Sequence, residues 1–218
     1  MTKRLIIAIA LLVLFSTYKL QNFFFDTKLN IKEIIIENNN VLKDSEIKKD
    51  LTPIYNTNLL FLNVNYIKEI LVKQNFIKSY EIKKIYTNKL KIKIFEKKPI
   101  AILQYKKEKF YFTENKNLID YRNLEEYKNL PIVFGNRENF EKLYKVLKKN
   151  NFSIKQIKKF YYFNSDRWDL LTIKDQMIKL PINDYISSLE NFINLRDNNN
   201  FEKYKIFDYR INNQLILK

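Results

Sequence analysis

The sequence predicts an α+β protein built as an N-terminal apolar helix, a strand-helix-helix-strand-strand unit, and a mixed β-rich domain that ends in an edge strand. Three observations carry this reading. Residues 5–15 form an unbroken apolar run. Leu90, Ile92 and Ile94 alternate with Lys91 and Lys93, the period of two of a half-buried strand. Pro99 then lacks a backbone donor and biases Lys98 towards an extended conformation, and a second apolar run, Ile100 to Leu103, begins just past it.

Taking the elements in order, Met1 to Arg4 is a short basic tip, and Leu5, Ile6, Ile7, Ala8, Ile9, Ala10, Leu11, Leu12, Val13, Leu14 and Phe15 follow as the apolar core of a membrane-spanning helix. Eleven residues are short for a span. Extension through Ser16, Thr17, Tyr18 and a snorkelling Lys19 to Phe25 lengthens the segment to 21 residues, which at ~1.5 Å per residue covers a ~30 Å hydrocarbon layer. The competing reading is a cleavable signal peptide. It lacks well-placed small residues: Ala8 and Ala10 lie inside the run, and later frames put Leu14, Tyr18 or Lys19 where a small side chain is required. The segment therefore reads as an uncleaved anchor. Lys3 and Arg4 orient it with the N-terminus in the cytoplasm, although Lys19 and Lys28 reduce the contrast.

Ile31 to Glu37 reads as a strand, Asn38-Asn39-Asn40 as a turn, and Asp44 to Leu51 as a short helix whose Ile47 and Leu51 share a face before Pro53. A second helix, Asn65 to Gln74, turns Ile67, Ile70 and Leu71 to one side. Ile77 to Tyr86 and Lys89 to Glu96 form a hairpin around Thr87-Asn88. This order gives a three-stranded sheet with two helices on one face.

In the second domain, Ile100 to Tyr105, Lys109 to Thr113 and Leu118 to Asp120 read as strands. Leu130 to Gly135 holds the only glycine of the chain, which implies a backbone requirement there, either positive φ or a close approach. Phe140, Leu143, Tyr144 and Leu147 define a helix, and Ile157 to Phe163, Trp168 to Ile173 and Met177 to Leu180 are strands. Asp184 caps another helix with Ile186, Leu189 and Ile193 on its buried face. After a polar break at Asp197 to Asn200, the chain closes with strands at Tyr204 to Ile211 and Gln214 to Leu217.

Composition narrows the function. With no cysteine and no histidine, disulfides, thiolate sites, and the commonest general base and metal ligand are all missing. Ser187-Ser188 with lysines could in principle form a dyad, but nothing presents a serine sharply, and Glu125-Glu126 and Asp208 read as solvated charges. No enzyme and no cofactor is expected. A net charge of +16 fits a nucleic acid or an anionic membrane, yet the same bias towards Lys, Asn, Ile, Tyr and Phe arises from AT-rich codons. Lys155 to Tyr162, rich in lysine and aromatic residues, resembles a nucleic-acid surface, but strand alternation, with aromatics to the core and lysines to water, explains it equally.

The first domain resembles a POTRA domain. Its end, with Glu96, Pro99 and Ala101 in a Glu-x-x-Pro-x-Ala junction, resembles the bacterial cell-division family FtsQ/DivIB, as do the Leu130 to Gly135 run, Arg167-Trp168 and the Asp208-Tyr209-Arg210 segment. Ile211 stands where that family has an aromatic residue, and Asn38 and Gln176 where it usually has glycine. The resemblance implies a non-enzymatic divisome scaffold of the inner membrane, at the division septum. Its expected layout is an anchor over residues 1–26, a POTRA domain over 27–98 and a C-terminal β domain over 99–218. It further implies that the last strand captures a small membrane-anchored partner, FtsB, travelling with FtsL, so as to link early division proteins to septal peptidoglycan synthesis. On that reading Asp208, Arg210, Ile211, Gln214, Leu215, Ile216 and Leu217 form the partner-binding strand region, with Arg210 facing a partner carboxylate; the competing reading is that Asp208 and Arg210 only stabilise the fold. The POTRA domain would dock other division proteins, and its Lys91 and Lys93 face could meet anionic lipid. The alternatives are an exported POTRA protein of another envelope pathway and a membrane-tethered nucleic-acid binder.

Overall fold

A computed structural model describes residues 2–17, 29–196, 199–211 and 214–218. The chain divides into two compact units, Met1–Gln74 with Ser79–Phe95, and Asn75–Lys78 with Glu96–Lys218.

Helix α1, Thr2–Thr17, contains the whole apolar run. Leu5, Ile6, Ile7, Ile9, Leu11, Leu12, Val13 and Phe15 are all at least half exposed, so no described part of the protein covers it. At 16 residues it spans about 24 Å. Among the described residues no helix is long and apolar enough to cross a membrane. The expected extension through Lys19 to Phe25, and Lys28, lie outside the described residues.

In the first unit β1 (Glu33–Glu37) pairs in parallel with β3 (Lys89–Glu96), and β2 (Ile77–Ile85) completes the order β1-β3-β2. Alternation sends Ile34, Ile36, Leu90, Ile92 and Ile94 into the core, and α2 (Asp44–Asp50) and α3 (Val64–Val72) add Ile47, Ile67 and Leu71 to it. Leu51, just past α2, is fully buried as expected. Asn38 sits at φ 62°, the left-handed turn its type tolerates, and its Nδ2 donates to Ile94 O at 2.7 Å. The cationic face expected at Lys91 and Lys93 is instead a ladder of mixed charge. In the β1–β3 register Lys89 stands opposite Glu33 and pairs with it at 2.7 Å, Lys91 reaches diagonally to Glu37 at 2.7 Å, and Lys93, opposite Glu37, lies over the Phe95 ring.

The second unit is a nine-stranded mixed sheet. Its strands are β4 (Pro99–Tyr105), β5 (Glu108–Thr113), β6 (Leu118–Asp120), β7 (Ile132–Phe134), β8 (Ile157–Phe163), β9 (Arg167–Thr172), β10 (Met177–Lys179), β11 (Ile206–Asp208) and β12 (Ile216–Leu217). They lie in the order β12-β11-β10-β9-β8-β7-β4-β5-β6. Parallel neighbours need crossovers, and α4 (Arg137–Lys149) and α5 (Tyr185–Leu195) supply them between β7 and β8 and between β10 and β11. Phe140, Leu143 and Leu147 of α4 and Leu189 and Phe192 of α5 pack with Leu103, Phe112, Val133, Phe160, Trp168, Leu170, Ile178 and Phe207 in one core. Two expectations for α5 change. Ile186 is 41% exposed, and Phe192 takes the buried position. Asp184 precedes the helix in a left-handed conformation and caps no backbone donor; it accepts instead from Ser187 Oγ.

Gly135 does not have positive φ. A Cβ there would stand 2.9 Å from Tyr162 Cβ and 3.4 Å from Trp168 Cη2, so close approach is the reason for the glycine. The left-handed residue of the β9–β10 turn is Asp175, at φ 57°, rather than Gln176, which is buried and donates to Tyr204 O. In β8 only Ile157 and Phe160 are buried. Tyr161 lies on the opposite face, stacked on Phe134 at 5.2 Å, so the expected split of aromatics to the core and lysines to water holds only in part.

Candidate functional site

The C-terminal segment builds an edge. Phe207 and Tyr209 point into the core and are buried, so period-two alternation turns Asp208 and Arg210 to the other face. Asp208 is itself almost fully buried. Its carboxylate accepts from Arg210 Nε at 2.8 Å, from Arg210 Nη2 at 2.6 Å and from the Arg210 backbone N–H at 3.1 Å. This two-pronged contact holds the Asp208 carboxyl below its ordinary pKa and raises that of the guanidinium. Arg210 is therefore paired within the chain, as the fold-stabilising reading expects. Its side chain still keeps 44% of its surface exposed, presented in an orientation that Asp208 fixes.

Register carries the charge pattern inward from the edge. Lys179 of β10 stands between Asp169 of β9 and Asp208 of β11, which puts an acid, a base and an acid in one row across three strands. Arg167 Nε donates to Asp169 at 3.2 Å. Burial nevertheless pushes the Asp169 carboxyl above its usual pKa, against the opposing pull of Arg167, Lys179 and Arg210. Neither Asp169 nor Lys179 stood out in the sequence: parallel pairing joins Lys179 to Asp208 from some thirty positions away, and the antiparallel pairing of Lys179 with Asp169 depends on the register of the β9–β10 hairpin. An Arg-x-Asp repeat of the period-two face, Arg167 to Asp169, was the one available signal.

Strand β12 pairs antiparallel with β11, Phe207 with Leu217 and Asp208 with Ile216. Lys218 N donates to Ile206 O at 3.1 Å, and Ile206 N donates back to Lys218 O at 2.9 Å. In an antiparallel ladder such exchanged pairs alternate with unbonded ones, so the N–H and C=O of Leu217 point away from β11. No described strand occupies that side. Leu215 and Leu217 pack against the core, and Ile216 is half-buried on the other face. Ile211 is 51% exposed and Gln214 is exposed. The expected strands are shorter than predicted, three residues instead of Tyr204 to Ile211 and two instead of Gln214 to Leu217.

Beside this edge lies a cleft of about 530 Å³. Ser187, Ser188 and Asn191 of α5 form its polar wall, and Ile211, Gln214 and Leu215 border it from the strand side. Tyr209 closes the floor, its hydroxyl donating to Asn191 Oδ1 at 2.9 Å while burial raises its pKa. Sequence reasoning had not joined α5 to the edge. The cleft offers apolar contact and exposed amides beside an open backbone ladder. Ser187 spends its proton on Asp184, and among the described residues no group of three acidic, histidine or cysteine side chains could hold a metal ion.

The family models for the POTRA domain, FtsQ-type, and for the cell division protein FtsQ/DivIB, C-terminal, match residues 29–97 and 101–210 respectively. The second match stops before β12. No curated protein matches the chain.

Proposed function

The chain belongs to the FtsQ/DivIB family of cell-division proteins, and from that membership we propose that it is a non-enzymatic scaffold of the division machinery that captures a partner strand along β12. The open outer edge of β12 beside the α5 cleft is the observation that carries this reading. A partner strand would complete the ladder through the outward groups of Leu217, with Ile211, Leu215 and Leu217 supplying apolar contact and the exposed part of Arg210 meeting a partner carboxylate. The partners are membrane proteins of the FtsB and FtsL type, and through them the chain links early division proteins to septal peptidoglycan synthesis.

The same reading includes the membrane. A helix that is apolar all round and covered by nothing described requires an apolar surrounding, so α1 and the residues after it anchor the chain in the inner membrane. The N-terminus is then cytoplasmic, and the POTRA domain over 27–98 and the β domain over 99–218 are exported. The POTRA domain is the second docking module, for other division proteins.

The test is capture of partners from native membranes by the full chain, by the chain ending at Asn212, and by Leu217→Pro. Proline at 217 removes the outward donor and leaves the inward bonds of Ile216 and Lys218 in place. Small coiled-coil membrane proteins should be captured by the wild type and lost by both variants, with circular dichroism unchanged. Retention by either variant would put the binding surface elsewhere.

A further inference from the structure

The segment joining α2 to α3 exposes an apolar patch. Leu59 and Leu62 anchor it in the core, while Leu60 is 50% exposed, Val64 and Tyr66 42% each, and Phe61 between them 66%. Asn63 accepts from Asn65 N at 3.0 Å and starts α3, which sets Val64 and Tyr66 on its first turn beside the loop. A groove of about 280 Å³ runs between Pro53, Ile54, Phe61 and Tyr66. Isolated exposed apolar residues need no explanation, but four within seven positions do.

Chain connectivity says what covers them. Leu59 N donates to Leu29 O at 3.0 Å and Asn30 bridges Asn58, so the patch lies against the first described residues of the POTRA domain. Eleven residues, 18–28, separate that point from the end of α1, a reach of at most about 40 Å. Cations flank the patch as well. Lys84 Nζ lies 3.5 Å from Leu60 O, and Lys68 follows Val64 by one turn on the exposed side of α3.

We propose that Leu60, Val64 and Tyr66, with Phe61, dip into the interface of the bilayer that holds α1, where Lys68 and Lys84 meet lipid phosphates. This rests on the membrane anchorage proposed above. Aromatic and aliphatic side chains flanked by two lysines suit the headgroup boundary, and the tether supplies the effective concentration that so small a patch needs. The POTRA domain is thereby held against the membrane on one defined side.

The absence of cysteine permits a direct test. Single variants Leu60→Cys and Val13→Cys of the full chain, labelled with an environment-sensitive fluorophore, are reconstituted in vesicles of phosphatidylethanolamine and phosphatidylglycerol with or without a lipid-borne quencher. Both labels should lose fluorescence to the quencher, and the loss at position 60 should disappear when Val64→Asp and Tyr66→Asp are added with circular dichroism unchanged. Quenching at 13 but not at 60 overturns the proposal and leaves the anchorage intact. A label at 60 that is shielded from aqueous iodide yet not quenched by lipid means that a second copy covers the patch, which also overturns it. Quenching at 60 that survives the two aspartates does the same. No quenching at 13 overturns the anchorage, and the proposal with it.

Discussion

Gly135→Ala tests the packing logic of the second unit. The new Cβ would stand 2.9 Å from Tyr162 Cβ, inside the ~3.5 Å of ordinary carbon contact by about 0.6 Å. A Cβ cannot swing away as the end of a flexible side chain can, so β7 and β8 must separate at a sheet position otherwise fixed by the Val133–Phe160 and Phe134–Tyr161 pairs. Overpacking of this kind costs about 1–3 kcal/mol, offset by about 0.4–1 kcal/mol from the stiffer unfolded chain. A net loss of about 1–2 kcal/mol is expected. Trp168, the single tryptophan, lies within the same contact, so its fluorescence reports denaturant unfolding of this unit. Tyr162→Ala keeps the Cβ and should leave the penalty in place, whereas Tyr162→Gly should remove it, giving a double-mutant coupling that the ring alone cannot produce. A Gly135→Ala protein as stable as the wild type, or an equal coupling with Tyr162→Ala, would refute the close-approach account.

Two further perturbations follow from the same geometry. Asp208→Asn breaks a charge-assisted contact and should cost about 1–2 kcal/mol at neutral pH; because the folded carboxyl is held below its unfolded value, that advantage is present above the ordinary carboxylate range and lost as pH falls through the folded pKa. Asp169→Asn, at a carboxyl that burial pushes up, should be neutral or stabilising at pH 7, and denaturation of both variants between pH 7 and pH 3 reads the contrast. In the first unit Asn38→Ala loses the bond to Ile94 O and keeps the positive φ, for about 1–2 kcal/mol of destabilisation in thermal unfolding, whereas Asn38→Gly exchanges the bond for backbone ease and should change stability by less than about 1 kcal/mol.

Much of the architecture was legible because its signals are local. The alternation at Leu90, Ile92 and Ile94 and the helical spacing of Phe140, Leu143 and Leu147 needed only neighbours to interpret, and those side chains are buried as read. The α5 face was misjudged because Ile186 and Phe192 are both large and apolar, and only the position of β11 decides which is covered. Gly135 declared a backbone need without saying which, since its constraint comes from Tyr162 on another strand. At the edge, Asp208 and Arg210 share a face by period two, so their pairing lay within reach of the sequence. The row joining Asp208 to Lys179 depends on parallel register, which no local pattern encodes, while its continuation to Asp169 runs across the β9–β10 hairpin. Lys91 looked free because its acidic partner, Glu37, sits more than fifty residues away.

The two margins of the nine-stranded sheet differ in kind. At β6 the outer strand is three residues long, ends in Asp120, and has that carboxylate tied to Asn75 Nδ2 at 2.7 Å. A charged margin of this sort resists strand pairing, whereas β12, though only two residues long, carries apolar side chains alone. On the proposed reading only the β12 margin takes a strand, so copies of the chain do not join head to tail into an open fibre, which needs two complementary edges. On that reading each copy offers one berth, and the number of captured strands follows the number of copies.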